Sequence, residues 1–439
     1  MAASATPRIA DPDTVAVAFS GGLDSTALLH AATRAAQGRQ RVVALHVHHG
    51  LQPQADGWAA HCEQAARSFG AGFDCTWLSG APGRGDSVEA WARAGRHRAL
   101  HEMAVRVGAD LLLLAHHRRD QAETFLLQAL RGAGTAGLAS MPRQQWRDGI
   151  CWARPWLDRP HAALRAYAER HGLRWIEDPS NGDARFARNR LRQLLWPAFP
   201  AAEAGLAQAA RWAQQAEALA REIAAADLAT LADGERLDLP ALFALSPARA
   251  GNALRAWLAC RTGAPASLVA RLLAEWRPGA TLSWPAPGGC LHAYRDGLFW
   301  AAQAPLPPAA TVLDLSRPGR YPQPGWGGAW VVAEATAGPR LCRERLARVT
   351  QRARGGAEQF QRAPAAAVRS LKKACQAQGL PPWRRAGPLL WDDGGRLLAV
   401  AGLGMDARAF AAGDEPGLAL RWLEDSALPQ SEGGAGGAA

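Results

Sequence analysis

Along the first 200 residues, short continuous apolar runs alternate with longer segments whose apolar positions recur at three- and four-residue intervals. The runs Val15 to Phe19, the stretch Arg41-VVALHVHHG, Phe73 to Leu78 and Ala109-DLLLLAHH have the length and composition of strands buried on both faces. Between and after them, Thr26 to Ala36, Trp58 to Phe69, Val88 to Val107 and Asp120 to Leu130 carry helical spacing. Repeated strand–helix alternation of this kind predicts an α/β fold, a doubly wound and mainly parallel sheet covered by helices on both sides. Ligands of such sheets sit beyond the carboxyl ends of the strands. Three polar segments fall there: SGGLDS, HVHHG and AHHRRD.

After Ala201 the pattern changes to Ala/Gln/Glu/Leu-rich helical spacing, as in LAQAARWAQQAEALAREIAAADLATL, NALRAWLACRTG and SLVARLLAEW. A hairpin-like GGCLHAYRDGLFWAAQ and a Pro-rich linker follow. Farther on, TVLDL, WVVAE, LLWDDGGRLLAVAGLG and LALRWLE read as strands, with one helix expected from Ala363 to Gly379. The expected domains are therefore 1–200, α/β; 201–305, small and helical; 311–425, α+β; and a disordered tail at 426–439. Three domains agree with a chain of 439 residues at about 150 residues per domain.

Composition adds a partner class. The formal net charge is +11, which favours polyanions such as nucleic acid. Almost all of the positive charge is arginine, and Lys372 and Lys373 are the only lysines, so a compositional bias explains the charge equally well. Seven cysteines, widely spaced and without a Cys-x-x-Cys pair, argue against a zinc ribbon, a redox pair or a disulfide scaffold. No apolar run reaches the roughly 18 residues needed to span a bilayer, and the first residues lack a signal-peptide core. A cytoplasmic protein is expected.

The turn SGGLDS, residues 20–25, joins a strand to a helix start. Backbone N–H groups at the positive end of a helix hold anions, and Gly21 and Gly22 let the chain approach a phosphate without a Cβ in the way. The loop lacks the lysine of GxxxxGK[ST], leaving Ser20, Asp24 and Ser25 as its polar side chains. The competing reading is an ordinary turn in which Asp24 or Ser25 caps the helix. His46 and His48 alternate with Val47 and so share one face of their strand; they are either ligands of a nucleotide or base, or hydrogen-bonded structural residues. Asp120 and Glu123, three apart, share a helix face.

SGGLDS, HVHHGL, HHRRDQAETFLLQALRGAGTAGL, RPWLDRP and WIEDPSNGDARFARNRLR, in this order, resemble the tRNA(Ile)-lysidine synthases of the PP-loop ATPase family. The stretch RGGAEQFQRAPAAAVRSLKKACQAQGLPPWRRAGPLLW resembles that family's last domain. The resemblance implies ATP and Mg2+ as cofactors, and free lysine and the CAU-anticodon tRNA(Ile) as substrates. It implies adenylation of the wobble cytidine at its C2 oxygen, then displacement of AMP by the lysine ε-amino group. Ser20, Gly21, Gly22, Leu23, Asp24, Ser25, His46 and His48 become the expected ATP contacts, with Asp24 the metal contact; Asp24, Asp120, Glu123 and Arg188 become the expected catalytic set. His49, Arg93, Arg96, Arg131, Gly132, Gly134, Asn189, Arg192, Lys372 and Lys373 become candidates for substrate or tRNA binding. The pattern departs at Arg119, where the family usually has an aspartate, and at His97, where an aromatic is usual. Two other readings stay open: a PP-loop tRNA thiolase, and an inactive PP-loop protein that only binds RNA. A homodimer is compatible with each.

Overall fold

The structure, a computed structural model, describes residues 12–48, 55–78, 88–177, 182, 187–263, 265–303, 307–412 and 416–424. His49, residues 178–181 and 183–186 of the WIEDPSNGDARFARNRLR motif, and the tail 426–439 lie outside them. The chain divides into two compact units, Met1–Glu222 and Ile223–Ala439.

In the first unit the strands are β1 (Thr14–Ala18), β2 (Arg41–His48), β3 (Gly72–Trp77), β4 (Leu111–Leu113), β5 (Gln144–Arg147) and β6 (Ile150–Ala153). The helices are α1 (Leu23–Ala36), α2 (Ala55–Ser68), α3 (Val88–Arg106), α4 (Arg118–Leu130), α5 (Thr135–Leu138), α6 (His161–Arg170), α7 (Ala187–Ala198) and the part up to Glu222 of α8 (Ala202–Leu231). Strand order is β3-β2-β1-β4-β6-β5, parallel throughout except for the β5–β6 hairpin. Two apolar clusters cover the sheet. One joins Ala16, Val43, Leu45 and Leu112 to Leu100 and Met103 of α3; the other joins Val17, Val42 and Ala44 to Leu28, Leu29 and Cys62 of α1 and α2. This is the doubly wound arrangement that the alternating pattern predicts. The strand order reverses between β1 and β4, which opens a crevice at their carboxyl ends.

The second unit begins with helices Leu239–Ala244, Pro247–Thr262 and Ala266–Glu275, as expected, but they pack on a five-stranded antiparallel sheet rather than only on one another. Its first strands, Ala232–Asp233 and Arg236–Asp238, are too short to leave a period-2 signature, and the edge strand Leu282–Ala286 contains Pro285, which argues against a strand in sequence. Beyond the linker lie a five-stranded and a three-stranded antiparallel sheet around Trp330, Leu390, Leu398 and Leu418. The helix expected from Ala363 to Gly379 shortens to Leu371–Ala377. Arg369–Ser370 instead pairs with Gln359–Phe360 as a small antiparallel ribbon. Among the described residues, no helix is long and apolar enough to cross a membrane.

The bend from β1 to α1 is fixed by bonds made to backbone, not by packing alone. Gly21 has φ +81°, and its carbonyl accepts from Ile176 N (2.9 Å) and Thr26 Oγ1 (3.2 Å). A Cβ there would stand 2.7 Å from Ile176 Cδ1 and 2.8 Å from Cys62 Sγ. Gly22, with φ −74°, has no neighbour closer than 3.6 Å to such a Cβ. Gly21→Ala is therefore expected to cost about 2–4 kcal/mol of stability from the left-handed backbone and the collision together. Gly22→Ala should cost less than about 1 kcal/mol, a contrast that urea denaturation of the two variants measures.

Candidate active site

Beyond the ends of β1, β2 and β4 lies a cavity of about 780 Å3. The α1 N-terminus opens into it. Gly22 is the N-cap residue and no side chain caps the helix. The Ser25 hydroxyl donates to Gly22 O (3.1 Å) and accepts from Ser20 N (3.2 Å), so it ties the loop together. Asp24 occupies the first turn and lines the cavity. The capping reading of SGGLDS thus gives way to an open helix start, where unpaired N–H donors and the helix dipole favour an anion.

Asp24 faces two histidines. His117 Nε2 is 3.6 Å from Asp24 Oδ2 and 3.4 Å from Asp120 Oδ2, and His161 Nε2 is 3.6 Å from Asp24 Oδ1. His117 also forms a capping box for α4. Its Nδ1 accepts from Arg119 N (3.2 Å), and Asp120 Oδ2 accepts from His117 N (3.0 Å). With Nδ1 an acceptor, the proton of the neutral ring resides on Nε2, aimed at the carboxylates. Burial disfavours the imidazolium of His117, but Asp24, Asp120 and Glu123 outweigh it and hold its pKa above the ordinary value. Burial lowers that of His161, with Asp24 opposing and His117, Arg119 and Arg165 adding to the effect. Burial raises the Asp120 pKa, yet His117, His116 and Arg188 win and keep it ionised below the usual range. Asp24, His117 and His161 bring ligand atoms within 4.8 Å of one another, and Asp24 Oδ1 is buried without a hydrogen-bond partner.

The two acidic residues on α4 have different surroundings. Asp120 lines the cavity. Glu123 is fully buried behind it, where Oε1 accepts from Arg192 Nε (2.8 Å) and Trp196 Nε1 (3.2 Å), and Oε2 is 3.4 Å from Arg188 Nε. Arg192 Nη2 also reaches Asp120 Oδ1 (3.2 Å), and Arg188 Nη2 donates to Thr124 Oγ1 (2.8 Å). Carboxylates on α4 and guanidiniums on α7 thus join the two helices along one wall. Arg119, the departure from the family pattern, pairs through Nε with Glu203 Oε2 (3.2 Å) and lies over the Trp196 ring. Arg118 bonds the other oxygen of Glu203 (2.9 Å).

Ser20, Gly22, Leu23, Asp24, Ser25, His46, His48, Arg96, Asp120, Arg188 and Arg192 all line the cavity. His46 does so while its Nδ1 lies 2.9 Å from Phe19 O, so it serves the fold as well as the wall. Gly21 lies behind the loop, and Asn189 is buried on α7. Arg131, Gly132 and Gly134 are exposed at the end of α4, where Gly132 (φ +70°) follows the C-cap residue Arg131, as a helix-terminating glycine does. Arg93 lines a separate cavity, and Lys372 and Lys373 are exposed on the short helix of the second unit. Sequence reasoning missed His117 and His161. Each stands inside or beside a quoted motif, but spacing alone does not bring residues 117 and 161 to one aspartate.

His97, which also lines the cavity, stacks on Trp152 at 5.3 Å, with Nδ1 3.1 Å from Arg147 Nη1. Burial and the neighbouring Arg96, Arg147, Arg93 and Arg154 push its pKa down to about 4.

Family models match three parts of the chain: a PP-loop domain at residues 3–199, a TilS substrate binding domain at 237–299 and a TilS substrate C-terminal domain at 349–422. The chain is 43% identical over 433 residues to the tRNA(Ile)-lysidine synthase of Ralstonia nicotianae, covering 93% of this chain and 92% of that protein. The protein of that name from Burkholderia pseudomallei is 39% identical over 465 residues, covering 94% of each chain. The one from Alkalilimnicola ehrlichii is 40% identical over 422 residues, covering 92% of each.

Two outcomes follow from the geometry. Glu123→Gln should lower stability by about 2 kcal/mol in urea denaturation, less than the 3–5 kcal/mol of a fully buried pair because both arginines reach solvent. The depressed pKa of His97 means that the folded chain declines a proton which the unfolded chain takes up below about 6.5. Its contribution is present above that pH and is lost as pH falls toward about 4. His97→Phe should therefore lose less stability than the parent between those pH values; parallel acid limbs would contradict this account.

Proposed function

Because the chain belongs to the tRNA(Ile)-lysidine synthase family, we propose that it ligates free lysine to C2 of the wobble cytidine in the CAU-anticodon tRNA(Ile), through an adenylated cytidine, with release of pyrophosphate and AMP. The observation that carries this reading is the open α1 N-terminus facing a cavity that also holds Asp24, Asp120 and Arg188. The PP-loop domain uses ATP. Attack on the α-phosphorus requires the β- and γ-phosphates to be held as a leaving group. The backbone and hydroxyls of Ser20 to Ser25 supply that hold through placement and fixed dipoles.

Asp24 fits a magnesium ion, which takes oxygen ligands and completes its shell with phosphate and water, and which when bound would offset charge on the departing pyrophosphate. His117 and His161 are poor ligands for so hard a cation. They flank the Asp24 carboxylate at 3.6 Å, outside hydrogen-bond distance, as its neighbours in the wall. Asp120, ionised and in the cavity wall, is the group that receives the lysine ammonium. Glu123 is a positioning residue: it holds Arg188 and Arg192 at the wall instead of touching substrate. Arg93, Arg96, Arg131, Arg192, Lys372 and Lys373 are the cations offered to tRNA phosphates, with Gly132, Gly134, His49 and Asn189 as candidate backbone and polar contacts. One chain suffices for this chemistry, a homodimer is compatible with it, and the cytoplasm holds its substrates.

A thiolase is disfavoured, since the seven cysteines are free and lack the paired spacing of a sulfur relay, while two family models specific to TilS match. Arg119 does not argue for an inactive protein, because its charge pairs with Glu203 and leaves Asp24 and Asp120 in the cavity. Incubation of the full chain with ATP, labelled lysine and unmodified tRNA(Ile) should yield labelled tRNA with equal amounts of pyrophosphate and AMP. Labelling that persists when the wobble cytidine is replaced by uridine would overturn the reading. Asp24→Ala should abolish AMP formation while tRNA affinity is retained; undiminished AMP formation would remove Asp24 from the catalytic set.

A further inference from the structure

We propose that a second cavity of the first unit, bounded by α3, the β5–β6 hairpin and α8, seats a backbone phosphodiester of the bound RNA close to the nucleotide whose base enters the first cavity. Its volume is about 550 Å3. His97 lines both cavities, so the two share this side chain in their walls.

The lining is arginine-rich, and its charges are not equally satisfied. Arg143 pairs with Asp158, and Arg221 with Glu217 (3.1 Å), so those two are neutralised. Arg147 and Arg154 have no carboxylate partner among the described residues. Among the described residues Arg147 meets neutral groups: His97 Nδ1, Gln145 Oε1 (2.8 Å) and the face of Trp152, 5.2 Å from its guanidinium carbon. Arg154 is 4% exposed; its Nη1 donates to Pro142 O (2.9 Å), and its Nε is buried with no partner. Burial and the charges of Arg147 and Arg93 lower its pKa to about 10. A buried guanidinium without a counter-charge is costly, and an anion that takes both forks removes the cost.

A phosphodiester suits the site because it carries one charge on two free oxygens and comes tethered to its neighbours. A chain inserting one base into the first cavity must lay adjacent phosphates along the rim that the two cavities share. This inference rests on the reading of the chain as a tRNA-modifying enzyme. A carboxylate of free lysine has similar oxygen geometry, and the test separates the two.

The test measures binding of unmodified tRNA(Ile) to the full chain across a salt series, with Arg147→Gln, Arg147→Lys and Arg39→Gln beside the parent. Arg39 is an exposed residue between α1 and β2, and β2 lies four strands away from β5 in the sheet. Arg147→Gln should reduce the slope of log affinity against log salt by about 0.7, the value for one contact to single-stranded RNA. Arg147→Lys should keep the slope, and Arg39→Gln should leave it unchanged. The KM for lysine should stay at the parent value in all three. Arg154→Gln should repeat the slope change, with its melting temperature reported alongside. An unchanged slope in Arg147→Gln overturns the proposal, and a raised lysine KM with an unchanged slope reassigns the cavity to the amino-acid carboxylate. Failure of the parent to label tRNA with lysine would instead remove the functional reading, a separate outcome from the salt slope.

Discussion

The site depends on one constraint: α1 must begin directly after a strand, and its first turn must stay uncapped. Serine, threonine, asparagine or aspartate at the N-cap would satisfy the helix with its own side chain and close the anion site. Gly22 occupies that place and offers nothing. The loop is instead stabilised from behind, by Gly21 O accepting from Ile176 and Thr26 and by Ser25 bonding back to Gly22 and Ser20. Bonds that in other turns end at the helix cap are here displaced one residue outward. The first-turn donors are thereby left facing the cavity.

A second arrangement sets the opposite wall. The α4 carboxylates and α7 guanidiniums form a network in which each arginine touches more than one acceptor. Such a network gains less stability than its number of bonds implies, because both arginines must be partly desolvated. What it supplies is geometry. Asp120 is held between His117 and Arg192, and its charge is fixed before any substrate arrives. Glu203 does the same for the departure at Arg119, absorbing a positive charge where the family usually has a negative one.

Much of the first unit was legible in the sequence because its strands are apolar on both faces and its helices keep a 3.6-residue period, so local pattern and tertiary position agree. The converging loops followed from strand ends alone. What stayed hidden depended on long-range geometry. His117 and His161 meet at Asp24 only after the sheet and α6 are in place, and no periodicity links them. Glu123 reads as an equal partner of Asp120 from helical spacing, yet burial separates a wall residue from one behind the wall. In the second unit two strands are too short and an edge strand contains Pro285, so packing against neighbours decided what propensity could not.

The chain's excess of arginine can be sorted by its counter-charges. Many arginines pair with a neighbouring acid, as Arg67 does with Glu63 and Arg106 with Asp74, and such exposed pairs contribute little to stability and less to a bound polyanion. Compositional bias accounts for these. It does not account for Arg147 and Arg154, which lie beside the first cavity among neutral acceptors, one of them almost wholly buried. Burial of charge without compensation is unfavourable in the free protein and becomes favourable only when the missing charge arrives. A net charge of +11 therefore says less about RNA than does the place where, among the described residues, two guanidiniums lack an acid.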